Sequence, residues 1–315
     1  MTIYICIEAV LLVLLFKKKP HHIGYSLISI GLLLISAFRA ESVGTDVVNY
    51  IIEYNLHGIE TWKESFTNSE YTFAIYCKFL NVLGLKERGF LIATAILFAM
   101  LLMIALHVNH CDKILTFSLF YFAGLYLQSF CIIRQSLAIV TALISYSSLE
   151  KNYSIQMPYN KGRFQRFPIG FVIGMIIAIG FHPTVIVLFA LPVMMLFYGQ
   201  KRCRKPSVFL RDGILCMSAA LIILPVLYPF ILQHSKEKYQ VLYGGSYVTG
   251  PFGNWKSGIL LVALYLIFYI AYYNNWKILT EKENIIVGSV IMLAFACSSL
   301  SIINSTLGRT NLFFE

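Results

Sequence analysis

Apolar residues in this chain come in long runs, and polar residues come in short clusters between them. A helix that crosses a membrane needs about 20 apolar residues, within a range of about 17–25. Met1–Phe16 and Ile23–Phe38 are the first two such runs, parted by Lys17-Lys18-Lys19-Pro20-His21-His22. The lysines follow the first run and no small-residue cleavage site occurs, so that run reads as a retained span rather than a signal peptide. Gly89–His107 is a clean span, and Asp212–Phe230, Gly258–Tyr273 and Ile285–Ile303 are three more. Pro225 and Pro229 are expected to kink the end of the Asp212–Phe230 span.

Two runs have the wrong length for one crossing. Ile114–Leu149 holds 36 residues, which at 1.5 Å each is about 54 Å against a hydrocarbon core of about 30 Å. It must turn, and its polar point is Gln128–Gln135. Phe167–Tyr198 holds 32 residues, too many for one span and few for two. Charge decides it. Lys151, Lys161, Arg163 and Arg166 precede it, and Lys201, Arg202, Arg204, Lys205 and Arg211 follow it. One crossing would put these clusters on opposite sides, against the excess of Lys and Arg in cytoplasmic loops. A hairpin puts both inside, and Pro183 disfavours helix at His182, so the turn is predicted there.

The segment from Arg39 to Arg88 is mixed: five basic residues against seven acids. Within it Tyr71–Leu83 is apolar but interrupted by Lys78, and reads as an interfacial or re-entrant helix on a long outer loop. The result is an all-α membrane bundle of about ten spans, one integral domain over residues 1–315, with both termini outside. Of the 25 Lys and Arg, this arrangement puts 15 inside. It also brings Arg39, Asp46, Arg134, His182 and Arg309 to one outer face, which the charge arithmetic did not assume.

Composition agrees. Hydrophobic residues are 58% and charged residues 13%, where soluble domains carry about 25% charged residues; mean hydropathy is +0.72. The net charge of +10 sits in loop clusters with no aromatic-studded basic face, which excludes a nucleic-acid partner. The seven cysteines show no C-x-x-C and no ligand spacing, so neither a disulfide framework nor a metal is expected. No phosphate-binding glycine loop, G-x-S-x-G elbow, H-E-x-x-H or D-x-D pair occurs, so a nucleotide-driven pump and a metal-bound sugar nucleotide are not indicated.

The remaining chemistry lies in a few polar points. Arg39 ends a span, where arginines commonly reach for the headgroups. Gly44-Thr45-Asp46 is a turn, and Tyr50, Glu53 and Tyr54 follow at helical offsets, enough for one polar, aromatic face. Arg134-Gln135 interrupts an apolar block. An arginine at depth costs about 2.5–3.5 kcal/mol on insertion scales, so it needs a partner or a ligand, and Asp46 is the acid the sequence suggests. His182 stands between apolar stretches. Arg309 follows Gly308 near the C-terminus. The other histidines, His57 among them, carry no ligand pattern.

Three of these segments together resemble the EpsG family of Wzy-like polysaccharide polymerases. They are Phe38-Arg39 with Val43-Gly44-Thr45-Asp46 and Asn49-Tyr50, then Ile133-Arg134-Gln135-Ser136-Leu137-Ala138, then Ile179-Gly180-Phe181-His182-Pro183-Thr184. Pro183 stands where the family more often has a small polar residue. Family members continue with hydrophobic sequence beyond the Arg309 segment, so a C-terminal truncation is expected. The resemblance implies a bacterial inner-membrane enzyme that joins polyprenyl-diphosphate-linked oligosaccharide units on the outer face, in exopolysaccharide, capsule or O-antigen synthesis. The bilayer and other polysaccharide-assembly proteins are its implied partners, and no cofactor is implied.

The residues suit that chemistry. Arginine forks hold a leaving diphosphate without a metal, which fits Arg134 and Arg309, with Arg39 orienting Asp46 or assisting. Gln135 and Tyr50 are the accompanying substrate contacts. The acceptor hydroxyl needs a base, and Asp46 and His182 both qualify. A flippase or transporter of lipid-linked sugar is the alternative, although transporters place polar groups at mid-membrane and often carry repeats. A membrane O-acyltransferase is a third.

Overall fold

The computed structural model describes residues 22–40, 43–44, 46–109, 121, 125–154, 163–164, 168–199, 205–233 and 255–303. These residues form helices almost throughout, with one antiparallel pair of two-residue strands. The chain divides into two compact units, Met1–Lys151 with Pro168–Ile186, and Asn152–Phe167 with Val187–Glu315.

The first unit begins with α1 (His22–Phe38), α2 (Val47–Ile59), α3 (Trp62–Asn68) and α4 (Tyr71–Val82). It continues with α5 (Glu87–Val108), α6 (Leu125–Cys131), α7 (Ile133–Asn152) and α8 (Ile169–Phe181). The expected first span, Met1–Phe16, lies outside the described residues. The two predicted breaks are present. Helix stops at Cys131 and restarts at Ile133, inside the Gln128–Gln135 window. His182 ends α8 in extended backbone, φ −157° and ψ 124°, because the ring of Pro183 crowds helical geometry in the residue before it.

The Arg39–Arg88 segment is more structured than one interfacial helix: it holds α2, α3 and α4. Helix α2 buries Val47, Tyr50, Ile51, Tyr54 and His57, spaced by three and four as one helix face requires. Helix α4 buries Phe73, Ala74, Cys77, Lys78 and Leu80 against it. The opposite faces are apolar too: α2 turns Val48, Ile52, Leu56 and Ile59 outward, and α4 turns Tyr71, Ile75, Phe79 and Val82 outward. Such stripes are what a helix lying in the headgroup region of a bilayer buries. Helix α3 starts with a reciprocal capping box, in which Thr61 N–H donates to Glu64 Oε2 at 2.7 Å and Glu64 N–H to Thr61 Oγ1 at 3.3 Å.

Lys78, which breaks the apolar run of α4, is a cap for its neighbour. It is 8% exposed, and its Nζ donates to the carbonyls of His57 at 2.9 Å and Glu60 at 2.6 Å. These are carbonyls at the end of α2, where a cation offsets the negative end of the helix dipole. Its ammonium also lies 5.2 Å from the Trp62 ring centroid.

Elsewhere in this unit α1 packs on α5, with Leu32, Leu102, Leu106, Tyr126 and Phe130 in one buried cluster. Helix α8 packs on α7 through small residues, Gly170 against Ser148 and Gly174 against Ser145, the close approach typical of helices in lipid. Its far side exposes Ile169, Ile173, Ile176 and Ile177.

The second unit pairs β1 (Tyr153–Ser154) with β2 (Arg163–Phe164) and packs α9 (Ala190–Gly199), α10 (Pro206–Gln233) and α11 (Trp255–Asn275) around α12 (Glu281–Ile303). A 3-10 stretch, Pro183–Phe189, leads into α9. Helix α10 begins six residues before the expected Asp212, so Arg211 belongs to helix rather than to a loop. Asp212 there accepts from Tyr198 Oη at 2.7 Å and from Arg211 Nε at 2.8 Å. Among the described residues two stretches are long and apolar enough to cross a membrane, Glu87–Val108 and Pro206–Ile223, and four shorter apolar helical stretches accompany them.

The α7–α8 seam is tight enough to test. A Cβ on Gly174 would stand 2.5 Å from Ser145 Cβ and 3.3 Å from its Cα. Gly174→Ala is therefore expected to destabilise the protein by about 1–3 kcal/mol through overpacking, read as a lower thermal midpoint in detergent. An unchanged midpoint would show that α8 does not sit this close.

Candidate functional site

Arg134 is the second residue of α7. That is an unfavourable place for a cation, because the positive end of the helix dipole lies there. Two carboxylates outweigh it. Arg134 Nη1 lies 2.5 Å from Glu70 Oε2 and 3.1 Å from Glu53 Oε1. The guanidinium also stands 5.4 Å from the Tyr50 ring centroid and 5.3 Å from that of Phe73, within the range of cation–π attraction. It retains 18% exposure, Glu53 23% and Glu70 8%. The sequence points to Asp46 as the acid for Arg134; the two ion pairs come from Glu53, about two turns further along α2, and from Glu70, the residue before α4.

The first predicted segment reaches the same place. Gly44 has φ +110°, and a Cβ there would stand 2.7 Å from the Phe130 carbonyl oxygen. Only glycine permits both the backbone angle and the approach. The turn thus seats the Arg39–Asp46 segment on the end of α6, four residues before Arg134. Arg39 is buried. Its Nη1 donates to Ser36 O at 2.7 Å and Ser36 Oγ at 3.2 Å, and its guanidinium lies 4.8 Å from the Phe130 ring centroid. Its own carbonyl accepts from Arg88 Nη1. Arg39 therefore fastens the end of α1 to α6. Asp46 is the N-terminal flanking residue of α2, its side chain making no capping hydrogen bond. Tyr50 is buried one turn on, edge to face with Phe73 at 6.2 Å. Gln135, beside Arg134, is buried as well.

The third segment joins through a glycine. A Cβ on Gly180 would overlap Thr72 Oγ1 and stand 2.9 Å from Thr72 Cβ. The last turn of α8 therefore rests on the first turn of α4, two residues from Glu70, and His182 follows two residues after Gly180. The His182 ring is half-buried. Its Nδ1 lies 2.8 Å from Thr184 Oγ1 and accepts from the Thr184 N–H at 3.4 Å. An accepting Nδ1 places the proton of the neutral ring on Nε2, so this imidazole is a donor. Arg309 lies outside the described residues.

Behind Glu53 runs a polar chain that the sequence did not single out. Ser69 Oγ donates to Glu53 Oε1 at 2.5 Å. His57 is 1% exposed, with Nδ1 3.1 Å from Glu60 Oε2 and Nε2 4.0 Å from Glu53 Oε1. Ser65 Oγ and Asn68 Nδ2 donate to Glu60 at 3.0 and 2.8 Å. Glu53, His57 and Glu60 stand at i, i+4 and i+7, which was the available signal; Glu70 and Ser69 carried none. No group of three or more His, Cys, Asp or Glu side chains arranged to hold a metal ion occurs among the described residues. Cys77, Cys216 and Cys297 are free thiols.

Two of these groups titrate away from their usual ranges. Burial pushes the His57 imidazole down, outweighing the pull of Glu53 and Glu60. Burial raises Glu60, but hydrogen bonds from Asn68 and Ser65 and the nearby His57 outweigh it, and its carboxyl ends below the usual range. Both values are depressed on folding, so both groups contribute stability above their unfolded values of about 6.5 and about 4.3, and lose it as the pH falls. The thermal midpoint in detergent is therefore expected to fall as the pH drops below about 6.5. His57→Gln should flatten the part of that fall nearest neutrality. A flat midpoint down to pH about 4.5 would contradict the buried, neutral imidazole.

Comparison with curated proteins and with solved structures finds no match. The EpsG family model matches residues 22–315, a span that holds all three converging segments. The apolar helices and that match make this a membrane protein of polysaccharide biosynthesis, and the chain belongs to the EpsG family.

Proposed function

We propose that the chain polymerises oligosaccharide repeat units carried on a polyprenyl diphosphate, at the outer face of the bacterial inner membrane. The observation that supports this best is the convergence on Arg134. Tyr50, Glu53, Glu70 and Phe73 gather about one partly accessible guanidinium, while Gly44 rests on Phe130 and Gly180 on Thr72 beside them. In this reading about ten spans hold the bundle, with both termini outside. The lipid tail stays in the bilayer beside the outward apolar faces of α2 and α4.

Transfer then needs three things. The donor's diphosphate must be held, by Arg134 and Arg309. The acceptor hydroxyl must lose its proton to an acid–base group of the cluster. The segment carrying Asp46 must be positioned, which Arg39 does from α1. The donor-bearing Nε2–H of His182 suits a phosphate or leaving oxygen. Exopolysaccharide, capsule and O-antigen are the product classes such a reaction serves.

The test uses a strain lacking the wild-type gene, with each variant matched for membrane abundance. Arg134→Lys keeps the charge but loses the planar fork. It is expected to cut polymer formation about 100-fold, as loss of one oriented transition-state donor does. Lipid-linked single units should then accumulate at the outer face. Arg134→Ala should also destabilise the protein, toward the low end of the about 3–5 kcal/mol for orphaning a buried charge. Accumulation at the inner face would identify a flippase instead, and normal polymer from Arg134→Lys would remove Arg134 from the reaction.

A further inference from the structure

The two carboxylates on Arg134 are not equivalent. Glu70 is nearly sealed and makes the shorter contact, 2.5 Å. It is a counter-ion. Glu53 is the more open of the two, at 23%, and its Oε1 is held from two sides and faces an imidazole on a third. Arg134 Nη1 lies at 3.1 Å, Ser69 Oγ at 2.5 Å and His57 Nε2 at 4.0 Å.

The imidazole behind it has one nitrogen in use. Glu60 is kept ionised by hydrogen bonds from Ser65 and Asn68, so it takes the Nδ1–H of His57 at 3.1 Å. That fixes the tautomer and leaves Nε2 bare. This Nε2 is buried and has no hydrogen-bond partner among the described residues. A bare ring nitrogen facing a carboxylate oxygen is a poor resting pair, since both groups are acceptors. It becomes a good pair once a proton arrives between them. A histidine oriented by one carboxylate and turned toward a reacting group is the arrangement by which proton acceptors are held ready.

We propose that Glu53 is the base of the transfer reaction and that His57, oriented by Glu60, is its positioning partner. This rests on the polymerase reading above and names its acid–base group. The acceptor hydroxyl gives its proton to Glu53. Its oxygen lone pair forms the new glycosidic bond to the donor's anomeric carbon. The bond from that carbon to the bridging phosphate oxygen breaks, and its electron pair leaves on the polyprenyl diphosphate. The proton then settles between Glu53 and His57 Nε2, in the space already facing it.

The two other candidates are distinct from this one. His182 has its Nδ1 lone pair occupied by Thr184, which suits a donor. Asp46 lies seven residues before Glu53 along α2, about 10 Å at 1.5 Å per residue, so both carboxylates cannot serve one hydroxyl. Among the described residues, the titratable and charged groups facing the Glu53–His57 pair are Arg134 from α7, Glu60 after α2, Glu70 before α4, and Cys77 and Lys78 on α4.

The test is steady-state kinetics of the full chain in proteoliposomes, with a defined polyprenyl-diphosphate-linked repeat unit and a range of pH. Glu53→Gln is expected to lower kcat about 100-fold or more while KM stays within about twofold, the size of effect a lost general base gives. Glu53→Asp keeps the charge beside Arg134 and should lose about tenfold without a change in thermal midpoint. His57→Phe should lower kcat about tenfold and move the acid limb of the kcat profile to lower pH, because the shared proton has lost one of its two stations. A role in packing alone would leave that limb in place. If Glu53→Gln fails to fold, Glu53→Asp and His57→Phe decide the matter. Wild-type kcat in Glu53→Gln, with loss in Asp46→Asn or His182→Ala, overturns this assignment and leaves the polymerase reading standing. No polymer from the wild-type chain overturns both.

Discussion

The first unit depends on neutralising the guanidinium of Arg134. Burying a charge costs several kcal/mol even after relaxation, and the cost is met only where opposite charge and hydrogen bonds arrive together. Arg134 cannot find them locally, since it sits at the positive end of its own helix. Its two carboxylates come from 81 and 64 residues earlier in the chain. Bringing them in requires α2 to lie against α4 with its Glu53 edge toward α7. It also requires α4 to start beside the same spot. The packing of Tyr50 on Phe73 and of Gly180 on Thr72 follows from that placement.

The other buried cations of this unit follow the same rule with different partners. Arg39 uses a carbonyl at the end of α1, and Lys78 uses two at the end of α2. Each therefore ties a helix terminus whose last carbonyls have no partner within the helix. Arg134 is satisfied by carboxylates. That sets it apart chemically, because a carboxylate beside an arginine can also receive a proton or meet a hydroxyl, and a capped carbonyl can do neither.

Much of this was legible in the sequence. Apolar run length, loop charge and Pro183 marked the breaks in helix near Ile132 and His182, because hydrocarbon thickness and the constraint before proline are local rules. The Gly44 turn, Arg39, Tyr50, Arg134 and His182 were marked because each is a polar or special residue in an apolar setting. The partners were not legible. Glu70 sits before an apolar run, where an acid ordinarily serves the helix dipole, and His57 looks like one more loop histidine until Glu53 and Glu60 are seen on either side. Lys78 reads as an interruption of α4 because the carbonyls it caps are 18 and 21 residues away. The Arg39–Arg88 stretch reads as loop because its mixed charges mask three short amphipathic helices. Hydropathy averages over both faces of a helix and cannot show which residues of one segment meet those of another.

The arrangement of α2 reconciles a charged site with an apolar molecule. One face carries Tyr50, Tyr54 and His57 inward with Glu53 at its edge, and the other carries Val48, Ile52, Leu56 and Ile59 outward. A spanning helix could not hold Glu53, His57 and the nearby Glu60 at mid-membrane without large desolvation costs. A short helix at the headgroup level can, since water reaches one side while lipid covers the other. A substrate with a lipid tail and a sugar head straddles the same boundary, its diphosphate at headgroup depth. On the proposed reading, the acid–base groups of such a reaction belong on a surface-lying helix rather than inside a span, and the short helices between α1 and α5 have the outward apolar faces that place requires.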